Sequence, residues 1–148
     1  MRKEERKFID ACRFGMIEKA AELLNTGVDM DIRDSEGWAP LHIVCLHGYT
    51  DIVRLLLDHG ADPNARTATE YSNTPLHLAC RYSGVSVARL LLEHGADASA
   101  KNKEDKSPLD MVVGRLRHDP VREEVLSLFR EFHSDLVMEQ FCTMEVRP

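Results

Sequence analysis

The 148-residue chain contains no apolar run near the ~18 to 20 residues that a membrane-spanning helix requires. Its opening, Met1-Arg2-Lys3-Glu4-Glu5-Arg6-Lys7, carries the positive charge of a secretory signal, but no apolar stretch follows it. Together these absences predict an intracellular protein, cytoplasmic or nuclear, with no membrane role. A basic surplus is missing as well, because 19 Lys and Arg stand against 25 Asp and Glu, a formal net charge of −6. Neutralising phosphates needs positive charge, so nucleic-acid binding is not expected. The four cysteines include no C-x-x-C pair, and the seven histidines show no H-E-x-x-H or Cys/His ligand spacing. Neither a G-x-S-x-G elbow nor a glycine-rich phosphate loop is present. The expectation is therefore no metal, no cofactor and no enzymatic activity. With 43% hydrophobic and 30% charged residues, the composition remains that of one ordinary globular domain.

What the chain does contain is a repeat. Ala39-Pro40-Leu41-His42-Ile43-Val44-Cys45 returns as Thr74-Pro75-Leu76-His77-Leu78-Ala79-Cys80. Leu55-Leu56-Leu57-Asp58-His59-Gly60-Ala61-Asp62 returns as Leu90-Leu91-Leu92-Glu93-His94-Gly95-Ala96-Asp97. Glycines at 27, 60 and 95 and prolines at 40, 75 and 108 fit one period of 33, with two extra residues between Arg66 and Pro75. Each position has a physical reason. Pro40, Pro75 and Pro108 fix φ where a first helical turn has no use for an N–H. Leu41, Val44 and Cys45, at i, i+3 and i+4, form one buried stripe of a short helix. Ile52, Val53, Leu55, Leu56 and Leu57 supply the stripe of a second helix, which Gly60 ends in the left-handed conformation. A lone helix pair cannot bury both stripes, so neighbouring units must stack.

These residues resemble the ankyrin-repeat family, whose motif is T-P-L-H-x-A at a period of about 33. The resemblance implies an all-α solenoid of stacked helix pairs with short β-hairpin-like tips. It covers about residues 5–132, within a domain 1–132 of four units, 1–33, 34–66, 67–101 and 102–132, followed by a tail, 133–148. The polar residues Lys3, Glu4, Glu5, Arg6, Glu18, Lys19 and Glu22 suit an N-terminal cap with one wet face. In the fourth unit Asp110 replaces the motif histidine, and Val121, Val125, Leu128, Phe129 and Phe132 mark the last helix of a C-terminal cap. The resemblance also implies that His42 and His77 tie neighbouring hairpins together by hydrogen bonds.

Function in such a fold is expected on a concave face made by the tips and the ends of the first helices, where a preorganised surface meets a protein partner. The resemblance places partner-touching residues two, three, five, thirteen and fourteen positions into each unit. Here these are Arg13 and Phe14; Ser35, Glu36, Trp38, Leu46 and His47; Glu70, Tyr71, Asn73, Arg81 and Tyr82; and Lys103, Glu104 and Lys106. The only tryptophan and two of the three tyrosines fall in this set, and aromatic residues with Arg are the types that dominate binding hot spots. The expected role is that of a monomeric adaptor, or of an inhibitor or chaperone that occludes its partner. The alternative is a scaffold that dimerises or holds a second partner through the tail, whose Leu136, Val137, Met138, Phe141, Met144 and Val146 are too apolar for a solvated end. A short helix capped by Ser134 or Asp135 fits that tail, and the simplest expectation is that it folds back over the last unit.

Cys12, Cys45 and Cys80 occupy one register of successive units. Stacked helices lie about 10 Å apart, beyond the ~7 Å Cα separation that a disulfide spans. They are expected as small buried packing residues, with Cys142 the exposed thiol.

Overall fold

The computed structural model describes residues 1–115 and 118–133. The expectations for the tail and for Cys142 lie outside the described residues.

Eight helices alternate along the chain: α1 Lys3–Arg13, α2 Ile17–Asn25, α3 Pro40–His47, α4 Thr50–Asp58, α5 Pro75–Tyr82, α6 Val85–Glu93, α7 Pro108–Val113 and α8 Pro120–Phe132. They pair in sequence order. The first members stack as an inner layer, α1 on α3 on α5 on α7, and the second members as an outer layer, α2 on α4 on α6 on α8. Among the described residues there is no strand, so the fold is an all-α solenoid.

Local chemistry starts and stops each helix where the motif predicts. Proline opens α3, α5, α7 and α8 at a position that has no intrahelical acceptor to lose. The Ser107 hydroxyl accepts the Asp110 N–H at 3.2 Å while Asp110 Oδ2 accepts the Ser107 N–H at 2.7 Å, a reciprocal cap. Asp110 thus replaces the motif histidine by capping its own helix. Gly60 has φ +90°, left-handed, and follows the last residues of α4, as the repeat predicts.

The apolar stripes meet between layers. Phe8, Val44, Ala79 and Val112 from the inner helices and Ala20, Val53, Leu91 and Phe129 from the outer ones are fully buried. Cys12, Cys45 and Cys80 are buried and free. Burial pushes the Cys12 thiol up to about 12 and the other two higher still, so all three are inert packing groups near neutral pH.

The junctions on either side of the third unit are fastened at both ends. At the tips, the Ala68 N–H donates to the Gly37 carbonyl at 2.8 Å and the Lys103 N–H to the Tyr71 carbonyl at 2.9 Å. Just below, His42 Nε2 reaches the Ala65 carbonyl and His77 Nε2 the Lys106 carbonyl, both at 2.8 Å. At the far end the last carbonyls of the inner helices, which lack helical partners, accept from the following unit. The Ser83 hydroxyl donates to the Cys45 carbonyl, and Arg115 Nη1 to the Cys80 and Arg81 carbonyls at 3.1 and 3.0 Å.

Candidate functional site

The tips build their shape from short polar side chains. Asp34 Oδ1 accepts the N–H groups of Glu36 and Trp38, both at 2.9 Å. Asn102 Oδ1 does the same for Glu104 and Lys106 at 2.9 and 3.0 Å. The third tip carries the two-residue insertion and uses Thr67, whose hydroxyl accepts the Asn73 N–H at 3.0 Å. Closing bonds complete each hairpin-like turn, from Asp34 N to Trp38 O, Thr67 N to Asn73 O and Asn102 N to Lys106 O, at 2.9 to 3.0 Å. Asn102 Nδ2 then donates to Asn73 Oδ1 at 2.9 Å, joining the third and fourth tips through their side chains.

Between these tips and the inner helices lies a groove of about 340 Å³, lined by Trp38, Tyr71, Asn73, His77, Leu78, Arg81, Tyr82, Asn102, Glu104 and Met111. It follows α5, whose Leu78, Arg81 and Tyr82 face it at i, i+3 and i+4. Six of the fifteen residues singled out by sequence line it: Trp38, Tyr71, Asn73, Arg81, Tyr82 and Glu104. Tyr71 and Tyr82 are 45% and 53% exposed, uncommon for such large side chains without an occupant. Trp38 is half-buried against the core and lines the groove with its remaining surface. The Arg81 guanidinium lies 5.4 Å over the Tyr82 ring. Glu70, at the exposed third tip, accepts the Tyr71 hydroxyl, and this contact holds the Tyr71 phenol above its usual range.

The remaining predicted residues lie elsewhere on the same side or are tied up. Arg13 is bonded to Asp34 Oδ2 at 3.1 Å and braces the second tip against α1. His47 is exposed and stacks on Tyr49 with ring centroids 5.4 Å apart, while Leu46 beside it is half-buried. Ser35 and Glu36 cap the second tip, and Lys103 and Lys106 stand exposed on the fourth; none of the four lines the groove. Phe14, 69% exposed, belongs with Met16 and Ile17 to a separate apolar patch at the α1–α2 corner. Sequence reasoning missed His77, Leu78, Asn102 and Met111 as groove residues. Leu78 and Met111 are 33 residues apart, one period, so the repeat itself carries the signal that both share a face.

The two motif histidines are structural. Nδ1 of each accepts a backbone N–H, from Ala39 at 3.3 Å and from Thr74 at 3.2 Å, which leaves Nε2 to carry the proton given to the Ala65 and Lys106 carbonyls. Burial lowers the His42 pKa to about 4 and displaces that of His77 in the same direction. Both rings are therefore neutral near pH 7. Among the described residues, no group of three or more His, Cys, Asp or Glu is arranged to hold a metal ion. No described helix is long and apolar enough to cross a membrane.

A family model for ankyrin repeats, in three copies, matches residues 8–102. The chain belongs to the ankyrin-repeat family. Ankyrin repeats generally mediate protein–protein interaction. Among curated relatives, protein phosphatase 1 regulatory subunit 27 of Homo sapiens is 45% identical over 56 residues, 38% of this chain and 36% of that protein. The 2-5A-dependent ribonuclease of Mus musculus is 41% identical over 64 residues, 43% of this chain and 9% of that protein. Protein fem-1 homolog C of Homo sapiens is 40% identical over 50 residues, 34% of this chain and 8% of that protein. The array thus matches little more than a third of the length of the first of these and less than a tenth of the other two. The helix pair α7–α8 lies beyond the residues matched by the family model and continues the stack on α5 and α6.

Proposed function

We propose that this ankyrin array is a non-catalytic recognition module that seats a protein partner in the groove along α5, as an adaptor or as an inhibitor or chaperone that covers a partner's surface. One observation carries the reading: residues from three successive units, Trp38, Tyr71, Arg81, Tyr82 and Glu104, converge on one groove whose walls the junction hydrogen bonds hold in place. Aromatic side chains and Arg in a preformed cleft supply contact area at little ordering cost. The four units 1–33, 34–66, 67–101 and 102–132 act in this reading as one body, with the outer two as caps and a monomer as the working form. An intracellular setting, cytoplasmic or nuclear, belongs to the same reading. The regulatory subunit among the relatives supports a role exercised by binding rather than by chemistry.

The test is affinity capture from cell lysate with the full chain beside a Tyr71→Ala, Tyr82→Ala double variant. Both side chains are exposed, so the variant is expected to fold, which thermal unfolding checks. Partners held by the full chain and lost by the variant support the groove; partners held equally by both overturn it. A third protein ending at His133 examines the alternative, in which the tail engages a second partner or another copy of the chain.

A further inference from the structure

The groove is not uniform along its length. At its tip end the charged lining residue is an acid, although Lys103 and Lys106 stand on the same tip outside the groove. Glu104 lines it there, and the Glu104 charge acts on Tyr71, whose hydroxyl is already held by Glu70. Its other end, at the last turn of α5, is basic. Arg81 stands there with its guanidinium on the Tyr82 ring and, among the described residues, with no hydrogen bond or ion pair from that guanidinium. The neighbouring Arg115 is already taken by Asp119 Oδ2 at 2.6 Å and by the α5 carbonyls. The carboxylate of Glu104 likewise has no ion pair among the described residues, and Arg81 and Glu104 do not pair with each other. Apolar surface from Trp38, Leu78 and Met111 lies along the groove.

Two opposite charges, unpaired among the described residues, at the two ends of one apolar groove form a directional template. While solvated, each costs little. Once a partner excludes water, each needs a counter-charge, and a partner laid in the reverse direction sets like charge against like. We propose that the groove takes a partner segment carrying a cation, an apolar residue and an anion in order, with the cation (Lys or Arg) at the Glu104 and Glu70 end and the anion (Asp or Glu) at Arg81. The apolar residue between them rests on Trp38, Leu78 and Met111. This inference rests on the proposed binding role and specifies the chemistry the groove reads.

The experiment uses a random 12-residue peptide library displayed on phage, panned against the full chain and then against Arg81→Glu, Glu104→Lys and the Tyr71→Ala, Tyr82→Ala variant. Arg81 and Glu104 are exposed, and thermal unfolding verifies that each variant folds. Sequences enriched on the unaltered chain are expected to pair a basic with an acidic residue across an apolar one. A synthetic peptide of the best sequence should lose about tenfold or more in affinity for Arg81→Glu. The same peptide with its acidic residue changed to Lys should recover affinity for Arg81→Glu while losing it for the unaltered chain, a swap that a structural role for Arg81 does not produce. Glu104→Lys should show the mirror image with the peptide's basic residue. Peptides lost on the tyrosine variant but indifferent to both charge reversals overturn this inference and leave the groove reading standing. Enriched peptides that bind all variants equally, or a library that enriches nothing dependent on Tyr71 and Tyr82, count against both.

Discussion

At the scale of single residues, His42 pins the Ala65 carbonyl at the end of its own unit through Nε2, while its buried Nδ1 accepts the Ala39 N–H, a role that only the neutral ring fills. Its folded pKa of about 4 lies below the ordinary value of 6.5, so the unfolded chain binds the proton more readily. Stability that is complete above pH 6.5 therefore falls as the pH drops toward 4 and levels off below it. From these two values the loss at pH 5 is about 2 kcal/mol from His42, and His77 adds in the same direction. Urea unfolding at pH 7 and pH 5 measures it; an unchanged midpoint would contradict a buried neutral ring. Gly37 is a second such residue. It sits at φ +86°, and an added Cβ would lie 2.9 Å from the carbonyl carbon and oxygen of Ala68. Gly60, at φ +90°, has nothing within 4 Å of that position. Gly60→Ala is thus expected to cost about 1 kcal/mol of backbone strain alone, and Gly37→Ala clearly more because two tips must part. Comparing their melting temperatures separates the two.

Elements show how much was legible from sequence and where legibility stopped. Helix limits follow from prolines, caps and glycines, which act within a few residues, and so the period of 33 predicts them. The stripe Val125, Leu128, Phe129 places α8 on the core although its unit departs from the motif. Groove membership is different, because it depends on which side chains from separate units meet. Arg13 is expected at a binding surface, yet its register puts it on Asp34. The insertion in the third tip is visible as two extra residues, but that it turns Tyr71 into a groove wall requires the folded tip. Asn102 draws both lessons together. It is 7% exposed and makes three side-chain hydrogen bonds, to Glu104 N, Lys106 N and Asn73 Oδ1. Asn102→Ala should cost about 2 to 3 kcal/mol by leaving those groups unpaired. It should also weaken any ligand of the groove, readable in one unfolding curve and one titration with a selected peptide. Arg89→Ala is the contrasting case. Its pair with Glu131 at 3.1 Å is exposed on both sides, and its removal should change stability by less than about 1 kcal/mol.

For the whole molecule, each helix pair touches only its neighbours, so the last pair protects everything before it. Phe129, fully buried, fixes α8 in the outer layer. Phe129→Ala should cost about 3 to 5 kcal/mol. Truncation after Val113 should be worse, since it strips α8 from α6 and bares the apolar face that α6 turns toward it; increased binding of an apolar dye together with a broadened melt is the expected result. A sharp, unchanged melt after truncation would show that α8 is not part of the cooperative unit.

The junctions between tips are made by main-chain groups, Gly37 to Ala68 and Tyr71 to Lys103, and the histidines beneath them also bind carbonyls. Apart from the Asn73–Asn102 pair and His77, these joints read no side chain on the groove wall. The wall residues Tyr71, Arg81, Tyr82 and Glu104 can therefore be exchanged as a set without loosening the frame that presents them. Architecture and recognition vary independently in this chain, so a grafted wall of different chemistry should inherit the original melting temperature while answering to a different ligand.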